Sequence, residues 1–313
     1  MRQMLEQPAT GASRVALYED VTNRIVCELE QGTVPWVKPW KDSGVALGLP
    51  RSAASRRAYS GINILILWEA VLARGFATQE WLTFRQCAGL GGHVRKGERG
   101  TAIFYADRFI PKKERERAYQ ESDEPHAVPF LKRFIVFNVE QTEGLPSHIA
   151  SLPQSSTNAA TSETWPEVEA LIAATGIVIR EGGNEAYYHQ REDFIRMPPR
   201  SAFVNEADRL CTLLHEAAHA TAHPSRLNRN LQHRFGSTAY GREELIAELA
   251  SAFLCAQFGI EPQVRHAVYL GSWLQILKSD SRAIFYAASQ ASKVADYILG
   301  FRELAAVEGE AVS

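Results

Sequence analysis

The stretch Leu213-Leu214-His215-Glu216-Ala217-Ala218-His219-Ala220 lies within a helical pattern that covers residues 206–222. It contains the HExxH pattern that is typical of zinc peptidases. Histidines four residues apart share one helix face, so both imidazoles can bind one metal ion while Glu216 faces the remaining coordination position. A metal ion lowers the pKa of a bound water to about 7, and Glu216 would accept its proton as general base. The alternative is an ordinary polar helix face with two unremarkable histidines.

A third metal ligand is expected on the next predicted helix, at residues 242–258. Glu244 and Glu248 lie four residues apart on one face of it. We expect Glu244 to bind the metal and Glu248 to accept a hydrogen bond from a ligand imidazole, because metal-bound histidines normally donate their other N–H. Two alternatives stay open, namely Glu248 as the ligand and a solvated acidic face. The expected ion is Zn²⁺, and another divalent metal is compatible with these donors.

Other histidines are expected to be structural or exposed: His223 lies two turns beyond His215, and His189, His233 and His266 have no motif spacing. The cluster Tyr187-Tyr188-His189 precedes a predicted strand at 193–197. A zinc hydrolase usually pairs its substrate with an edge strand beside the metal, and this cluster is a candidate source of an oxyanion donor.

Composition and length describe a globular chain with a sizeable core. The chain has 313 residues, of which 45% are hydrophobic and 22% charged, and its formal net charge is -2. This length favours two domains. No run of about 18 apolar residues and no apolar leader is present, so we expect no membrane partner and a cytoplasmic location. The four cysteines are scattered, which argues against a Cys-based zinc site and against disulfides in a reducing compartment.

A run of Ser, Thr, Ala, Asn and Pro divides the chain into two predicted domains, at 1–146 and 163–313, with a linker at 147–162. In the first domain we expect helices at 14–31, 62–73 and 83–90, and strands at 101–110 and 130–139. A charged excursion at 111–129 joins these strands, and its segment 112–124 is assigned no role. In the second domain we expect strands at 176–180 and 193–197 and helices at 206–222, 242–258, 262–277 and 281–301. The predicted fold class is α+β, with an α+β first domain and a mostly helical second domain containing a small sheet.

The first predicted domain interleaves aromatic and basic residues and has no catalytic motif. Aromatic faces stack on unpaired bases while Arg and Lys follow phosphates, so the pattern favours single-stranded nucleic acid over duplex. Glycines within 91–100 let backbone N–H groups approach a phosphate. The same residue types are also typical of an amphipathic core with charged neighbours. The candidate DNA-binding residues are Trp36, Lys38, Trp40, Arg56, Arg57, Tyr59, Asn63, Trp81, His93, Arg95, Lys96 and Arg99.

Eight stretches of the sequence match a known family. In the first domain these are VTNRIVCELEQGTVPWVKPW (21–40), YSGINILILW (59–68), WLTFRQCAGLGGHVRKGERG (81–100) and FLKRFIVFNVEQTEGLP (130–146). In the second they are HEAAHAT (215–221), HPSRLNR (223–229), GREELIAELASAFL (241–254) and LGSWLQILKSDSRAIFYAASQASKVADYIL (270–299). With these stretches the chain resembles the ArdC-type plasmid antirestriction proteins, and its N-terminal part is also similar to a part of some plasmid-borne primases.

The resemblance implies a first domain that binds single-stranded DNA and a second domain that is a zincin-like metallopeptidase of the gluzincin type. It further implies a role in protecting incoming plasmid DNA from host restriction during conjugation. By resemblance, the metal ligands are His215, His219 and Glu244, and Glu216 is the base. A restriction enzyme or another DNA-bound protein is the expected protein substrate.

Two other functions fit the same sequence. The protein is a DNA-shielding factor if its metal site is structural or silent. It is a zinc peptidase with a protein-binding first domain if that domain has no affinity for DNA.

Overall fold

The computed structural model of the protein describes residues 11–37, 45, 47–109, 114, 117–119, 128–150, 165–231, 236–261 and 269–302. The helices are α1 (Gly11–Glu30), α2 (Ile62–Arg74), α3 (Phe84–Gly89), α4 (Ser147–Ala150), α5 (Pro166–Ala174), α6 (Glu206–Ala220), α7 (Thr238–Gln257), α8 (Leu270–Ser279) and α9 (Ala283–Leu299). The strands are β1 (Arg51–Ser52), β2 (Glu80–Thr83), β3 (His93–Val94), β4 (Thr101–Phe109), β5 (Val128–Asn138), β6 (Thr142–Glu143), β7 (Val178–Glu181), β8 (Tyr187–His189) and β9 (Phe194–Met197). No helix among these residues is long and apolar enough to cross a membrane.

The first domain is built on a four-stranded sheet in the order β1-β2-β5-β4. Strands β4 and β5 form the predicted hairpin, which pairs in antiparallel register from Thr101 opposite Val136 to Phe109 opposite Val128. Most of the charged excursion between them lies outside the described residues. Helix α2 packs on β4 and ends at Gly75, whose φ of 67° is the left-handed conformation that favours glycine.

The second domain combines α5 to α9 with a three-stranded sheet in the order β7-β9-β8, so β8 is an edge strand. Helix α6 begins after Asn205, whose side chain accepts a hydrogen bond of 2.8 Å from the Asp208 N–H. Helix α7 begins after Ser237, which caps it in the same way and extends it by four residues beyond the predicted start. Helix α8 begins at Leu270, and the predicted residues 262–268 lie outside the described part of the chain.

One hydrophobic core runs through both domains. The ring centroids of Trp36 and Trp273 lie 5.7 Å apart, and those of Trp68 and Phe253 lie 5.8 Å apart. All four side chains are at most 1% exposed. Since each pair joins a residue of the first domain to one of the second, neither domain buries its own core without the other.

The predicted linker begins in α4 and continues into residues outside the described chain. The domain boundary at 147–162 therefore stays a prediction.

Candidate metal centre and nucleic-acid surface

Helices α6 and α7 pack against each other and bring the predicted metal ligands together. His215 is 4% exposed, Glu244 5% and Glu248 7%. Burying a charged or polar group is unfavourable unless a partner compensates it. The buried imidazole and carboxylates therefore require polar partners, and they contact one another.

Three donor atoms converge between the two helices. The Nε2 atoms of His215 and His219 lie 3.1 Å apart. The Glu244 carboxylate spans both rings, with Oε2 3.5 Å from His215 Nε2 and Oε1 3.6 Å from His219 Nε2. In a tetrahedral zinc site with Zn–N distances of about 2.0–2.1 Å, ligand atoms lie about 3.3 Å apart. The spacing and chemistry of this donor set therefore fit a divalent metal such as zinc.

The close approach of imidazoles and carboxylates shifts the pKa values of these groups. Burial disfavours the imidazolium form of His215, but the carboxylates of Glu244 and Glu248 outweigh it and raise the pKa to about 9. The same balance at His219, with Glu243 and Glu244, raises its pKa to about 10. Burial opposes ionisation of Glu244, yet the two imidazoles hold its pKa well below the usual range. The carboxylates thus favour positive charge between α6 and α7, as a cation site requires.

A carboxylate lies behind each imidazole. Glu248 Oε2 is 3.5 Å from His215 Nδ1, in the position that its expected orienting role requires. Glu243 Oε1 is 3.5 Å from His219 Nδ1. The orienting position of Glu243 was not predicted, because neighbouring residues on a helix point in different directions and the sequence gives no reason to aim both Glu243 and Glu244 at the histidines.

Arg229 fixes Glu243 from outside the two helices. Its Nη2 donates to Glu243 Oε1 and to the Ala218 carbonyl, both at 2.8 Å, and its Nη1 donates to Thr221 Oγ1 at 2.8 Å. The side chains of Arg229 and Glu243 are only 7% and 9% exposed. This buried ion pair ties the end of α6 to the start of α7.

We expect Arg229→Ala to lower the free energy of unfolding by about 3–5 kcal/mol, because it removes one partner of a buried ion pair and leaves the Glu243 carboxylate, among the residues that the structure describes, with the His219 imidazole alone. Urea unfolding followed by circular dichroism measures the change. The matched control is Arg24→Ala, since Arg24 is 44% exposed and pairs at the surface with Asp20 and Glu69. That variant should lose about 1 kcal/mol or less. Equal losses in both variants would contradict the buried role of Arg229.

A cavity of about 260 Å³ opens over the three predicted metal ligands. Glu216 lines it together with them, as the predicted general base must. The edge strand β8 contributes Tyr187 and Tyr188, whereas the His189 ring stacks on Phe194 with centroids 5.1 Å apart. The lining residues are Ala186, Tyr187, Tyr188, Gln190, His215, Glu216, His219, Leu231, Tyr240, Glu243, Glu244 and Tyr269. The oxyanion donor expected from the tyrosine cluster stays a prediction.

A polar network holds β8 against the end of α6. The Tyr188 hydroxyl donates to Asp193 Oδ1 at 2.7 Å, and burial together with this bond raises the pKa of Tyr188 above its usual range. Arg226 pairs with Asp193 and donates through Nε to the Ala220 carbonyl at 2.7 Å. The wall of the cavity is therefore attached to the helix that carries both histidines.

Two aromatic candidates of the first domain are core residues. Trp36 and Trp81 are 0% exposed. Trp36 packs on Trp273, and Trp81 makes an edge contact with Phe76 at 5.9 Å between centroids. Neither indole offers a face to a base, so the prediction that they stack on DNA is corrected, because each ring is buried on both sides.

Tyr59 and Asn63, two further candidates, make contacts within the first domain. Tyr59 is half-buried against the core, which raises its pKa to about 12. Asn63 donates to the Phe104 carbonyl at 2.7 Å and accepts from the Phe104 N–H at 2.8 Å. Both polar groups of its amide are thus used to attach α2 to β4. Lys38 and Trp40 lie outside the described residues.

The basic candidates are at the surface. Three of them have acidic neighbours: Arg56 with Glu80 at 3.0 Å, His93 with Glu143 at 3.4 Å and Arg95 with Glu98 at 2.8 Å. Arg57, Lys96 and Arg99 are exposed, and no ion pair joins them to any residue that the structure describes. These cations are available to an anionic partner.

Two aromatic side chains of the first domain that were not among the predicted DNA-binding residues are exposed. Tyr105 is 50% exposed and Phe134 is 41% exposed. Tyr105 lies opposite Lys132 in the β4–β5 register, and Phe134 lies two residues further on β5, so all three share one face. We call Tyr105, Lys132 and Phe134 the hairpin patch. It has the aromatic and cationic chemistry that was predicted at Trp36 and Trp81.

Comparison with known protein families gives a match for each domain. Residues 15–137 match the N-terminal domain of anti-restriction factor ArdC. Residues 166–290 match a zincin-like metallopeptidase domain, which includes both histidines and Glu244.

Similar proteins are found among sequences and solved structures. The uncharacterized protein y4eC of Sinorhizobium fredii is 38% identical over 90% of this chain and 91% of its own length. DNA primase TraC of Escherichia coli is 35% identical over 91% of this chain, which spans only 27% of the primase. The metal-free crystal structure of antirestriction protein ArdC from plasmid R388 has a TM-score of 0.76 and 36% identity, covering 92% of this chain and 98% of that one. The Mn(II)-bound structure of the same protein has a TM-score of 0.74 and 37% identity, covering 91% and 98%.

Proposed function

Since the chain belongs to the family of ArdC antirestriction proteins, we propose that it protects incoming plasmid DNA from host restriction during conjugation. We further propose that its first domain binds this DNA as a single strand in the cytoplasm and that its second domain is a zinc-dependent peptidase. The observation that supports the peptidase is the convergence of His215, His219 and Glu244 beside Glu216 in one cavity.

The chemistry of the cavity fits peptide hydrolysis. A divalent metal held by His215, His219 and Glu244 would supply Lewis-acid polarisation of a scissile carbonyl. Glu216 lies in the same cavity and takes the proton of the attacking water as general base. Edge strand β8 offers its backbone to an extended peptide, which would orient the substrate across the cavity.

Charge and exposed aromatics support DNA binding. The overall charge is -2, so affinity must come from a local surface and must fall with salt. Arg57, Lys96 and Arg99 supply exposed cations, and the hairpin patch supplies two aromatic faces with a lysine between them. Stacking on such faces needs unpaired bases, which favours single strands.

The main alternative is a DNA-shielding protein with a structural or silent metal site. A structural role receives little support, because the related ArdC protein of R388 has been crystallised both metal-free and Mn(II)-bound, and both forms match this chain at TM-scores of 0.76 and 0.74. A silent site remains the alternative, and it is tested by whether the metal-loaded unmodified protein hydrolyses a peptide substrate.

Replacing both aromatics of the hairpin patch, as Tyr105→Ala with Phe134→Ala, should weaken single-strand binding by about 10-fold or more. Stacking of one base on an aromatic side chain contributes about 1–3 kcal/mol. Fluorescence anisotropy of a labelled oligothymidylate with the full chain measures the affinity, and a duplex of equal length should bind more weakly.

The matched control for the hairpin patch is Tyr286→Ala. Tyr286 is 56% exposed but lies on α9 in the second domain, and its loss should leave affinity unchanged. Unchanged binding in the double variant would remove the hairpin patch from the DNA surface. Absence of binding by the unmodified protein would contradict the DNA-binding part of the proposed function itself.

A further inference from the structure

Two phenols lie in the metal cavity without a role in the chemistry described so far. Tyr240 is in the first turn of α7 and Tyr269 immediately precedes α8. Their hydroxyl oxygens are 3.2 Å apart. Tyr240 precedes Glu244 by four residues, so both side chains lie on the same face of α7, and both line the cavity. Burial and the neighbouring Tyr269 and Glu244 side chains raise the pKa of the Tyr240 hydroxyl. A line of polar contacts thus runs from Tyr269 through Tyr240 to a metal ligand.

The direction of hydrogen bonding along this line follows from the donor inventory. An ionised carboxylate only accepts hydrogen bonds, and a phenol has a single proton to donate. Tyr240 therefore uses its proton on Glu244, and the proton between the two phenols belongs to Tyr269. The Tyr269 hydroxyl thus donates to Tyr240, and the Tyr240 hydroxyl donates to Glu244.

Tyr269 is held in place by the hydrophobic core that both domains share. The Tyr269 ring stacks on Trp273 with centroids 6.2 Å apart and an interplanar angle of 30°. Trp273 is 1% exposed and packs on Trp36 of the first domain, which is 0% exposed. Because these rings are held by close packing, the Tyr269 hydroxyl has little freedom to move away from Tyr240.

We propose that Tyr240 and Tyr269 are positioning residues for Glu244, an inference that rests on the proposed metal site. The Glu244 carboxylate faces His215 with one oxygen and His219 with the other. A rotation about its terminal bond would remove both oxygens from that arrangement, and the Tyr240 hydroxyl opposes this rotation. Tyr269 acts on Glu244 through Tyr240, whose hydroxyl oxygen lies 3.2 Å from its own.

The test is the affinity of the full chain for Zn²⁺, measured by competition with a chromophoric chelator, in Tyr240→Phe, Tyr269→Phe and the double variant. Each substitution keeps the ring and removes one hydroxyl. Loss of a group that orients a metal ligand typically weakens metal binding by about 10–100-fold, and we expect about 10-fold for Tyr240→Phe. Tyr269→Phe should have a smaller effect. The double variant should equal Tyr240→Phe, since a residue that acts through another adds nothing once the other is gone.

Two further readouts separate positioning from a general structural role. The visible spectrum of the Co²⁺-substituted site should change in Tyr240→Phe, because the ligand geometry changes. The thermal midpoint of the metal-free protein should stay the same. Tyr286→Phe, which removes an exposed hydroxyl on α9, should match the unmodified protein in every measurement.

The outcomes distinguish the possible failures. Unchanged Zn²⁺ affinity and Co²⁺ spectrum in Tyr240→Phe would overturn the positioning role. Additive losses in the double variant would overturn the dependence of Tyr269 on Tyr240. Failure of the unmodified protein to bind Zn²⁺ would instead contradict the metal site on which the inference rests.

Discussion

Alanine substitution of His219 is expected to lower Zn²⁺ affinity by more than about 100-fold, which exceeds the usual effect of losing a group that only orients a ligand. His219 supplies one of three donor atoms, and its Nε2 lies 3.1 Å from that of His215. Without it the metal keeps one imidazole and one carboxylate of the three convergent groups. Metal content after dialysis and chelator competition measure the loss.

His223→Ala is the matched control for this variant. His223 follows His219 by four residues but lies beyond the end of α6, where its Nδ1 contacts Ser225 Oγ at 2.7 Å. It does not line the cavity, so its loss should leave Zn²⁺ affinity unchanged. Retention of full affinity in His219→Ala, or an equal loss in both variants, would contradict the ligand assignment.

Glu216→Gln is expected to keep the metal and to lose peptide hydrolysis by about 10²–10⁴-fold, the usual contribution of a general base. Glu216 lines the cavity but is not one of the three convergent donors. The amide has nearly the same shape as the carboxylate and cannot accept the proton. Hydrolysis of fluorescein-labelled casein by the Zn²⁺-loaded protein, with metal content measured on the same samples, gives the result.

Two outcomes would contradict the role of Glu216. Loss of metal in Glu216→Gln would make Glu216 part of the ligand set. Full hydrolysis by this variant would exclude it as the base. If the metal-loaded unmodified protein leaves casein intact, the silent-site alternative is favoured over the peptidase.

The candidate metal ligands could be predicted because helical periodicity places two of these side chains on one face of each helix. His215 and His219 are four residues apart, and so are Glu244 and Glu248. The sequence alone therefore predicts which side chains share a face on each helix, whereas the packing of α6 on α7 is seen only in the structure. The contact between Arg229 and Glu243 could not be predicted from helical periodicity. It reaches Glu243 from a connection outside both helices, fourteen positions away along the chain, and only the fold brings the two together.

Burial of aromatic residues was the weakest part of the prediction. Trp36 lies between prolines and lysines, a context as typical of a DNA-binding loop as of a packed segment. It is buried because the second domain supplies Trp273, a contact between residues far apart in sequence. For the same reason a fragment ending before the linker would expose Trp36 and Trp68, so DNA binding must be measured on the full chain.

Short elements escaped prediction for a different reason. Strand β8 has three residues and β2 has four, too few for an alternating pattern to stand out. Helix α5 was missed beside the low-complexity run, although Pro166 in its first turn is a typical helix start. Of these, β8 matters for function, since it forms one wall of the metal cavity.

Protection of incoming DNA is tested most directly by conjugative transfer of a plasmid that carries this gene. Transfer is compared between a recipient with an active restriction system and a matched recipient without one, for the intact plasmid and for a deletion of the gene. The deletion is expected to lower transfer into the restricting recipient and to leave transfer into the other recipient unchanged. Equal transfer of both plasmids into the restricting recipient would contradict the antirestriction function.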